Sequence, residues 1–152
     1  MSGLKLSIPF AGREPRLRVL CVDDNCDVAD SESLLLQAVG FEARACYDGP
    51  TALAVAARFR PSVCLIDLNM PGMSGDVVAG RLKAQAPDDP LVLVAVTALS
   101  EEGSARRLRA GGFQAHLVKP VDPFNLVAIV NTLWAVWEPL AQPTRDRPDS
   151  VR

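Results

Sequence analysis

The stretch that decides the fold is Val63-Cys64-Leu65-Ile66-Asp67-Leu68-Asn69-Met70-Pro71-Gly72. A short apolar run that ends in a carboxylate and is followed by a Pro-Gly turn is typical of a buried strand that stops at a loop. Open α/β sheets bind their ligands beyond the carboxyl ends of such strands. The sequence therefore predicts that Asp67 lies at the carboxyl edge of a parallel sheet.

Three further apolar runs also end in polar side chains. They are residues 19–22 before Asp23 and Asp24, residues 91–96 before Thr97, and residues 115–118 before Lys119. Because parallel strands share one carboxyl edge, we expect these side chains to meet Asp67 there. An acid pair, a further acid, a hydroxyl and an amine suit phosphoryl transfer to a carboxylate with the help of a divalent metal ion.

The whole chain alternates between strand-like and helix-like segments five times, which predicts a parallel sheet with helices on both faces. The strands are predicted at 18–22, 41–46, 63–67, 91–96 and 115–118. Asp27 or Asp30 is predicted to cap the first helix, with Leu34 on its buried face, and Asp122 or Asn125 the last helix. Residues 17–138 form one predicted domain, between a flexible leader at 1–16 and a flexible tail at 139–152.

Composition excludes several classes of protein. The 152 residues carry 16 basic and 18 acidic side chains, for a net charge of -2, whereas a nucleic-acid-binding surface needs a basic excess. No apolar run reaches the length of a membrane span, and the N-terminus has no signal-peptide pattern. The spacing of the four cysteines matches no zinc site. We therefore expect a cytoplasmic protein that binds neither nucleic acid nor membrane.

The predicted cluster contains the oxygen ligands that Mg²⁺ prefers, and Mn²⁺ accepts the same set. Asp24 and Asp67 each offer a carboxylate oxygen, the backbone carbonyl of Asn69 offers a third ligand, and Asp23 can hold a metal-bound water. Ionised Asp67 is the predicted nucleophile. Lys119 would neutralise the phosphoryl oxygens, and Thr97 would donate a hydroxyl hydrogen bond to them.

At this point the chain resembles a response-regulator receiver (CheY-like) domain. The matching segments are Val22-Asp23-Asp24-Asn25, Asp67 to Gly75, Thr97-Ala98 and Lys119-Pro120, and the resemblance covers roughly residues 17 to 137. It implies a doubly wound, flavodoxin-like (βα)5 fold with strand order 2-1-3-4-5. It also implies a cis Lys119–Pro120 peptide bond, and a phosphoryl group that Asp67 receives from a sensor histidine kinase or a histidine phosphotransfer protein.

The resemblance also implies a switch. Many receivers pair the threonine with a Phe or Tyr three residues before the lysine; here that position is His116. Phosphorylation would move Thr97 and His116 and change the surface of the fourth helix, fifth strand and fifth helix. That surface would bind a downstream protein or a second copy of the chain. Its candidate contact residues are Arg106, Arg107, Arg109, Trp134 and Trp137.

Two alternatives stay open. One is a receiver-fold scaffold that works without phosphorylation. The other is a phosphatase of the haloacid dehalogenase type, which also uses an aspartate nucleophile and Mg²⁺. That class carries its nucleophile on the first strand, with a second aspartate two residues later, whereas Asp23 and Asp24 are adjacent. The prediction is a signalling phosphoacceptor, which catalyses only its own phosphorylation and dephosphorylation.

Overall fold

The computed structural model describes residues 17–98 and 102–141. Its strands are β1 (Arg18–Val22), β2 (Glu42–Cys46), β3 (Val63–Asp67), β4 (Val92–Thr97) and β5 (Ala115–Val118). Its helices are α1 (Cys26–Ala38), α2 (Gly49–Phe59), α3 (Gly75–Gln85), α4 (Glu102–Gly111) and α5 (Pro123–Ala141). The strands form one parallel sheet in the order β2-β1-β3-β4-β5. The predicted doubly wound (βα)5 fold is thereby confirmed.

The central strand β3 is buried at all five positions, and its side chains alternate between two core clusters. Val63 and Leu65 belong to the cluster that includes residues of α1 and α5. Cys64 and Ile66 belong to the cluster that includes residues of α2 and α3. A strand covered on both faces must be apolar throughout, so the polar Asp67 can stand only at its end. The packing thus fixes the acid at the carboxyl edge.

Helix α1 begins one residue before the first of its two predicted caps. Asn25 is the cap, and its side chain accepts hydrogen bonds from the N–H groups of Asp27 and Val28. The predicted cap at Asp27 or Asp30 is therefore wrong, because Asn25 already satisfies those donors. At the start of α5, the side chain of Asp122 accepts a hydrogen bond of 3.4 Å from the N–H of Phe124. Asp122 is one of the two residues that were predicted to cap this helix.

The buried face of α1 also differs from the prediction. Its buried residues are Ala29, Glu32, Ser33 and Leu36, which follow the helical spacing i, i+3, i+4, i+7. Leu34 lies outside this stripe and is 63% exposed, so its predicted burial is wrong. Because α1 packs through this face, Glu32 lies on the buried side of the helix.

Some predicted boundaries differ from the structure; strand β2, for example, begins at Glu42, one residue later than predicted. Strand β4 spans Val92–Thr97, one residue later than predicted. Helix α5 continues to Ala141, so the predicted domain boundary at 138 falls inside it. The predicted leader at 1–16 and the rest of the predicted tail, from 142, lie outside the described residues.

Glu32 is a buried carboxyl group near the carboxyl edge of the sheet. The residue is 7% exposed, and its Oε2 has no hydrogen-bond partner in the described part of the chain. Burial, together with the negative charges of Asp23 and Asp67, raises the pKa of Glu32 to about 7, although Lys119 opposes the shift. Ionised Glu32 therefore destabilises the fold.

We predict that Glu32→Gln stabilises the metal-free protein at pH 8. The pKa of Glu32 is higher in the folded than in the unfolded chain, so the folded state binds the extra proton between about pH 4.5 and pH 7. Stability from this group is complete below that window and is lost as the pH rises through it. At pH 8 the substitution should raise the free energy of unfolding by on the order of 2 kcal/mol, measured by urea denaturation in EDTA.

The matched control is Glu42→Gln, which removes the same charge from an exposed position on β2. Its free energy of unfolding should stay within about 0.5 kcal/mol of the parent value. The gain from Glu32→Gln should shrink toward pH 5. A gain that is absent at pH 8, or that grows as the pH falls, would contradict the assignment.

Candidate functional site

The polar strand ends predicted from the sequence do meet at one edge of the sheet. Asp23 follows β1, Asp67 ends β3, Thr97 ends β4 and Lys119 follows β5. Carboxylate oxygens of Asp23, Asp24 and Asp67 lie within 4.8 Å of one another. Four separate segments of sequence therefore meet at this edge, and two of them supply an acidic cluster, which we call the acid pocket (Asp23, Asp24 and Asp67).

Lys119 supplies the positive charge of this edge. Its Nζ lies 2.9 Å from Asp23 Oδ2 and 3.4 Å from Asp67 Oδ2, so one ammonium contacts two carboxylates. Burial lowers the pKa of Lys119, but the contact with Asp23 and the charge of Asp67 outweigh it and hold the pKa above its usual value. Lys119 therefore carries its charge at neutral pH. The Lys119–Pro120 peptide bond is cis, as the resemblance implies.

Asp67 is 4% exposed, and its pKa depends on this burial and on the neighbouring charges. Burial is the main reason why the pKa of Asp67 is raised to about 6, and the negative charge of Asp23 adds to it. The Asn69 N–H, 3.2 Å from Asp67 Oδ1, and the Lys119 ammonium act in the opposite direction. Near neutral pH the carboxylate is ionised, but its charge is only partly compensated.

The other two acids have different environments. Asp23 is 1% exposed, and its Oδ1 accepts a hydrogen bond of 2.9 Å from the N–H of Asn25. Asp24 is exposed and faces solvent beside it. Three carboxylates beside a single lysine, which contacts two of them, leave an excess of negative charge that a bound cation would relieve. Clustered carboxylate oxygens are the donors that a hard divalent ion such as Mg²⁺ takes, so the residues present fit the ion.

The tight start of α3 holds the loop after Asp67 close to that residue. Gly75 begins α3, and its N–H donates a hydrogen bond of 2.9 Å to the carbonyl of Leu68. A Cβ atom at position 75 would collide with the backbone carbonyl of Asp67. Gly75, the last residue of the Pro-Gly-Met-Ser-Gly segment, is therefore needed for this close packing, and it fixes the position of the loop at residues 68–74.

The two predicted switch residues lie in different environments. Thr97 is 2% exposed at the end of β4, and its carbonyl accepts a hydrogen bond of 2.7 Å from the Lys119 N–H. His116 is exposed on the neighbouring strand β5. The structure thus places Thr97 beside the acid pocket and the imidazole on the surface.

The candidate contact residues of the predicted α4, β5 and α5 surface also lie in different environments. Arg106 and Arg109 are exposed on α4. Arg107, from the same helix, instead contacts the loop after Asp67: its guanidinium lies 2.7 Å from the Leu68 carbonyl oxygen and 2.8 Å from Asn69 Oδ1. The side chains of Trp134 and Trp137 lie outside the part that the structure describes.

Sequence reasoning assigned Arg107 to a surface and did not connect it with the site. The segment Glu102–Gly111 is polar overall, and Leu108 is its one large apolar residue, so the sequence gives little indication of which arginine points inward. Glu32 was missed for a related reason, since its neighbours Leu34 and Leu35 were the more obvious candidates for burial.

Among the described residues, no helix is both long enough and apolar enough to cross a membrane.

Comparison with known proteins agrees with this geometry. The family model described as "Response regulator receiver domain" matches residues 19–131. Response regulator PleD of Caulobacter vibrioides is 37% identical over 119 residues, which are 76% of this chain and 26% of PleD. The DNA-binding response regulator MtrA of Mycobacterium tuberculosis is 33% identical over 115 residues, 76% of this chain and 49% of MtrA. The chain thus spans half or less of these two relatives.

Solved structures give the same fold. The chemotaxis protein CheY4 of Vibrio cholerae superposes with a TM-score of 0.73 at 28% identity, covering 78% of this chain and 99% of CheY4. A CheY-like receiver domain protein from Methanospirillum hungatei, at 22% identity, superposes with a TM-score of 0.76 over 84% of this chain and shows the fold alone. The family match, the strand order and the acid pocket agree, and the chain belongs to the response regulator receiver domain family, the signalling modules of two-component systems.

Proposed function

We propose that Asp67 is the phosphoacceptor of a two-component phosphorelay and that the domain predicted at residues 17–138, extended to the end of α5 at Ala141, is the unit that carries it. The observation that supports this most strongly is the position of Lys119, whose Nζ contacts the carboxylates of both Asp23 and Asp67. An ionised carboxylate beside an ammonium, at the end of a buried strand, is placed to attack a phosphorus atom and to have the transferred charge neutralised.

The donor in this proposal is a phosphohistidine of a sensor histidine kinase or a histidine phosphotransfer protein. An Asp67 carboxylate oxygen attacks the phosphorus, so an O–P bond forms while the N–P bond breaks, and the imidazole leaves with the electron pair of that bond. The Lys119 ammonium balances charge on the phosphoryl oxygens, and the Thr97 hydroxyl donates a hydrogen bond to one of them. Asp67 ends as an aspartyl phosphate.

Mg²⁺ is the proposed metal ion, and Mn²⁺ can take the same ligands. Asp24, Asp67 and the backbone carbonyl of Asn69 would hold it directly, and Asp23 would hold one of its waters. When bound, the ion neutralises negative charge on the phosphoryl oxygens during transfer. The support for this set is the convergence of the three carboxylates of the acid pocket.

The signal is proposed to leave through the surface formed by α4, β5 and α5. Phosphorylation adds close to two negative charges beside Lys119 and Thr97. Thr97 then moves toward the phosphoryl group, and His116, now exposed, turns into the space this opens. The resulting shift between two states changes the affinity of that surface for a downstream protein or for a second copy of the chain. The protein would act in the cytoplasm as a phosphoacceptor, with neither nucleic acid nor membrane as its partner.

The first test is the intact mass after incubation with Mg²⁺ and acetyl phosphate. We expect the mass of one phosphoryl group to be gained, and the gain to be lost when EDTA is present, because the acid pocket then repels the donor. Asp67→Asn keeps the size of the side chain and removes the nucleophile, so it should gain nothing.

Asp88→Asn, at an exposed acid in the turn after α3, is the matched control and should still be labelled. Equal labelling of the Asp67→Asn variant would show that another residue is the acceptor. If neither acetyl phosphate nor a panel of histidine kinases labels the parent protein, the proposal fails and a phosphorylation-independent scaffold becomes the better account.

The second test is the pH dependence of Mg²⁺ affinity. The pKa of Asp67 is raised to about 6, so below that pH a proton must leave before the carboxylate can bind the ion. The dissociation constant, measured by isothermal titration calorimetry, should be constant above about pH 7 and rise about tenfold per pH unit below pH 6. In the Asp67→Asn variant the affinity should be weaker and this dependence should be reduced. A flat profile in the parent protein between pH 5 and pH 7 would contradict the assignment of Asp67 as a ligand.

A further inference from the structure

Arg107 makes a set of contacts that the chemistry described so far does not use. Its Nη2 donates to the Leu68 carbonyl at 2.7 Å and to Asp76 Oδ1 at 3.0 Å. Its Nη1 donates to Asn69 Oδ1 at 2.8 Å, and its Nε lies 3.3 Å from Asp76 Oδ1. One side chain of α4 therefore contacts both the loop after Asp67 and the first turn of α3.

The contacts use the shape of the guanidinium as well as its charge. The planar group presents donors in a fixed fork, whereas a lysine ammonium is a single point with three donors. Three nitrogens of Arg107 reach three different acceptors, and only one of these, Asp76, is charged. Burial raises the pKa of Asp76, but hydrogen bonds from Ser74 and Arg107 outweigh it and hold the pKa below its usual value.

The contacts bracket the peptide bond between Leu68 and Asn69. The Leu68 carbonyl, on one side of it, accepts hydrogen bonds from both Gly75 N–H and Arg107. Asn69, on the other side, donates its N–H to Asp67 Oδ1 while its side-chain oxygen is held by Arg107. Rotation of this segment would break several hydrogen bonds at once, so Arg107 restrains the residue whose N–H orients the Asp67 carboxylate.

Arg107 acts here through geometry, because the charges that set the pKa of Asp67 belong to Asp23 and Lys119. Helices α3 and α4 are also closely packed beside this contact. A Cβ on Gly111, at the end of α4, would lie 3.2 Å from the Cα of Asp76, so the two helices approach closely just beyond the arginine.

We propose that Arg107 is a positioning residue that ties α4 to the loop after Asp67 and holds Asn69 in the orientation needed for the carboxylate and for the metal ion. The metal-binding part of this inference rests on the proposed function; the loop-holding part does not. The same contact gives α4 a direct polar connection to the phosphoacceptor loop, separate from Thr97 and His116.

The experiment compares Arg107→Gln and Arg107→Lys with Arg106→Gln, which removes the same charge from the exposed neighbouring position. In metal-free protein, amide hydrogen exchange is followed by NMR at Asn69 and Gly75, with Cys21 in β1 as the internal reference. In Arg107→Gln we expect exchange at both loop amides to be faster by about tenfold or more, as follows from losing a hydrogen bond to a charged group. Cys21 should keep its rate, Arg107→Lys should be intermediate, and Arg106→Gln should match the parent.

Mg²⁺ affinity is then measured on the same proteins. Arg107→Gln should bind the ion at least about tenfold more weakly, as is common when a group that orients a metal ligand is removed, and Arg106→Gln should be unchanged. Unchanged loop exchange in Arg107→Gln overturns the inference, as does a general rise in exchange that includes Cys21. Faster loop exchange with unchanged Mg²⁺ affinity overturns its metal-binding part. If the parent protein takes neither Mg²⁺ nor a phosphoryl group, the proposed function fails, and the loop exchange still decides whether Arg107 holds the loop.

Discussion

The contact of one ammonium with two carboxylates is the interaction on which the site depends. Lys119 enters from the end of β5 and reaches Asp23 beyond β1 and Asp67 at the end of β3. These three strands are brought together only by the order β2-β1-β3-β4-β5, with β3 buried on both faces between β1 and β4. The apolar core therefore determines where the charges meet, and the charges determine what the edge of the sheet can do.

Without a bound cation, the acid pocket destabilises the fold because it concentrates negative charge at one edge of the sheet. Burial and the charge of Asp23 raise the pKa values of both Asp67 and Glu32, so the fold holds carboxylates that resist ionisation. A single lysine cannot neutralise them all. The same excess of negative charge that weakens the fold provides an attractive site for a divalent cation. Stability and the proposed function thus depend on the same electrostatic imbalance, which a bound cation would reduce and a transferred phosphoryl group would increase.

The sequence pattern was sufficient to predict the parallel sheet and the meeting of Asp23, Asp67, Thr97 and Lys119, because each residue ends or directly follows a strand of strong apolar character. The strand order was predicted only through the resemblance to receiver domains. It was not sufficient for Glu32 and Arg107, since both lie on helices whose rotation is decided by packing. On α1 packing against the sheet buries the face that contains Glu32 and leaves Leu34 exposed. On α4 the single large apolar residue, Leu108, is too little to separate Arg107 from Arg106, and the tertiary contacts reveal the difference.

The most direct test of the central claim is to locate the transferred phosphoryl group chemically. Borohydride reduces an acyl phosphate to the alcohol, which converts an aspartyl phosphate into homoserine and leaves unmodified carboxylates intact. After phosphorylation, reduction and proteolysis, mass spectrometry of the peptides should find homoserine at position 67 alone. Reduction at Asp23 or Asp24 instead, or phosphate retained on a hydroxyl or imidazole side chain, would contradict the assignment of Asp67 as the residue that Lys119 and the acid pocket serve.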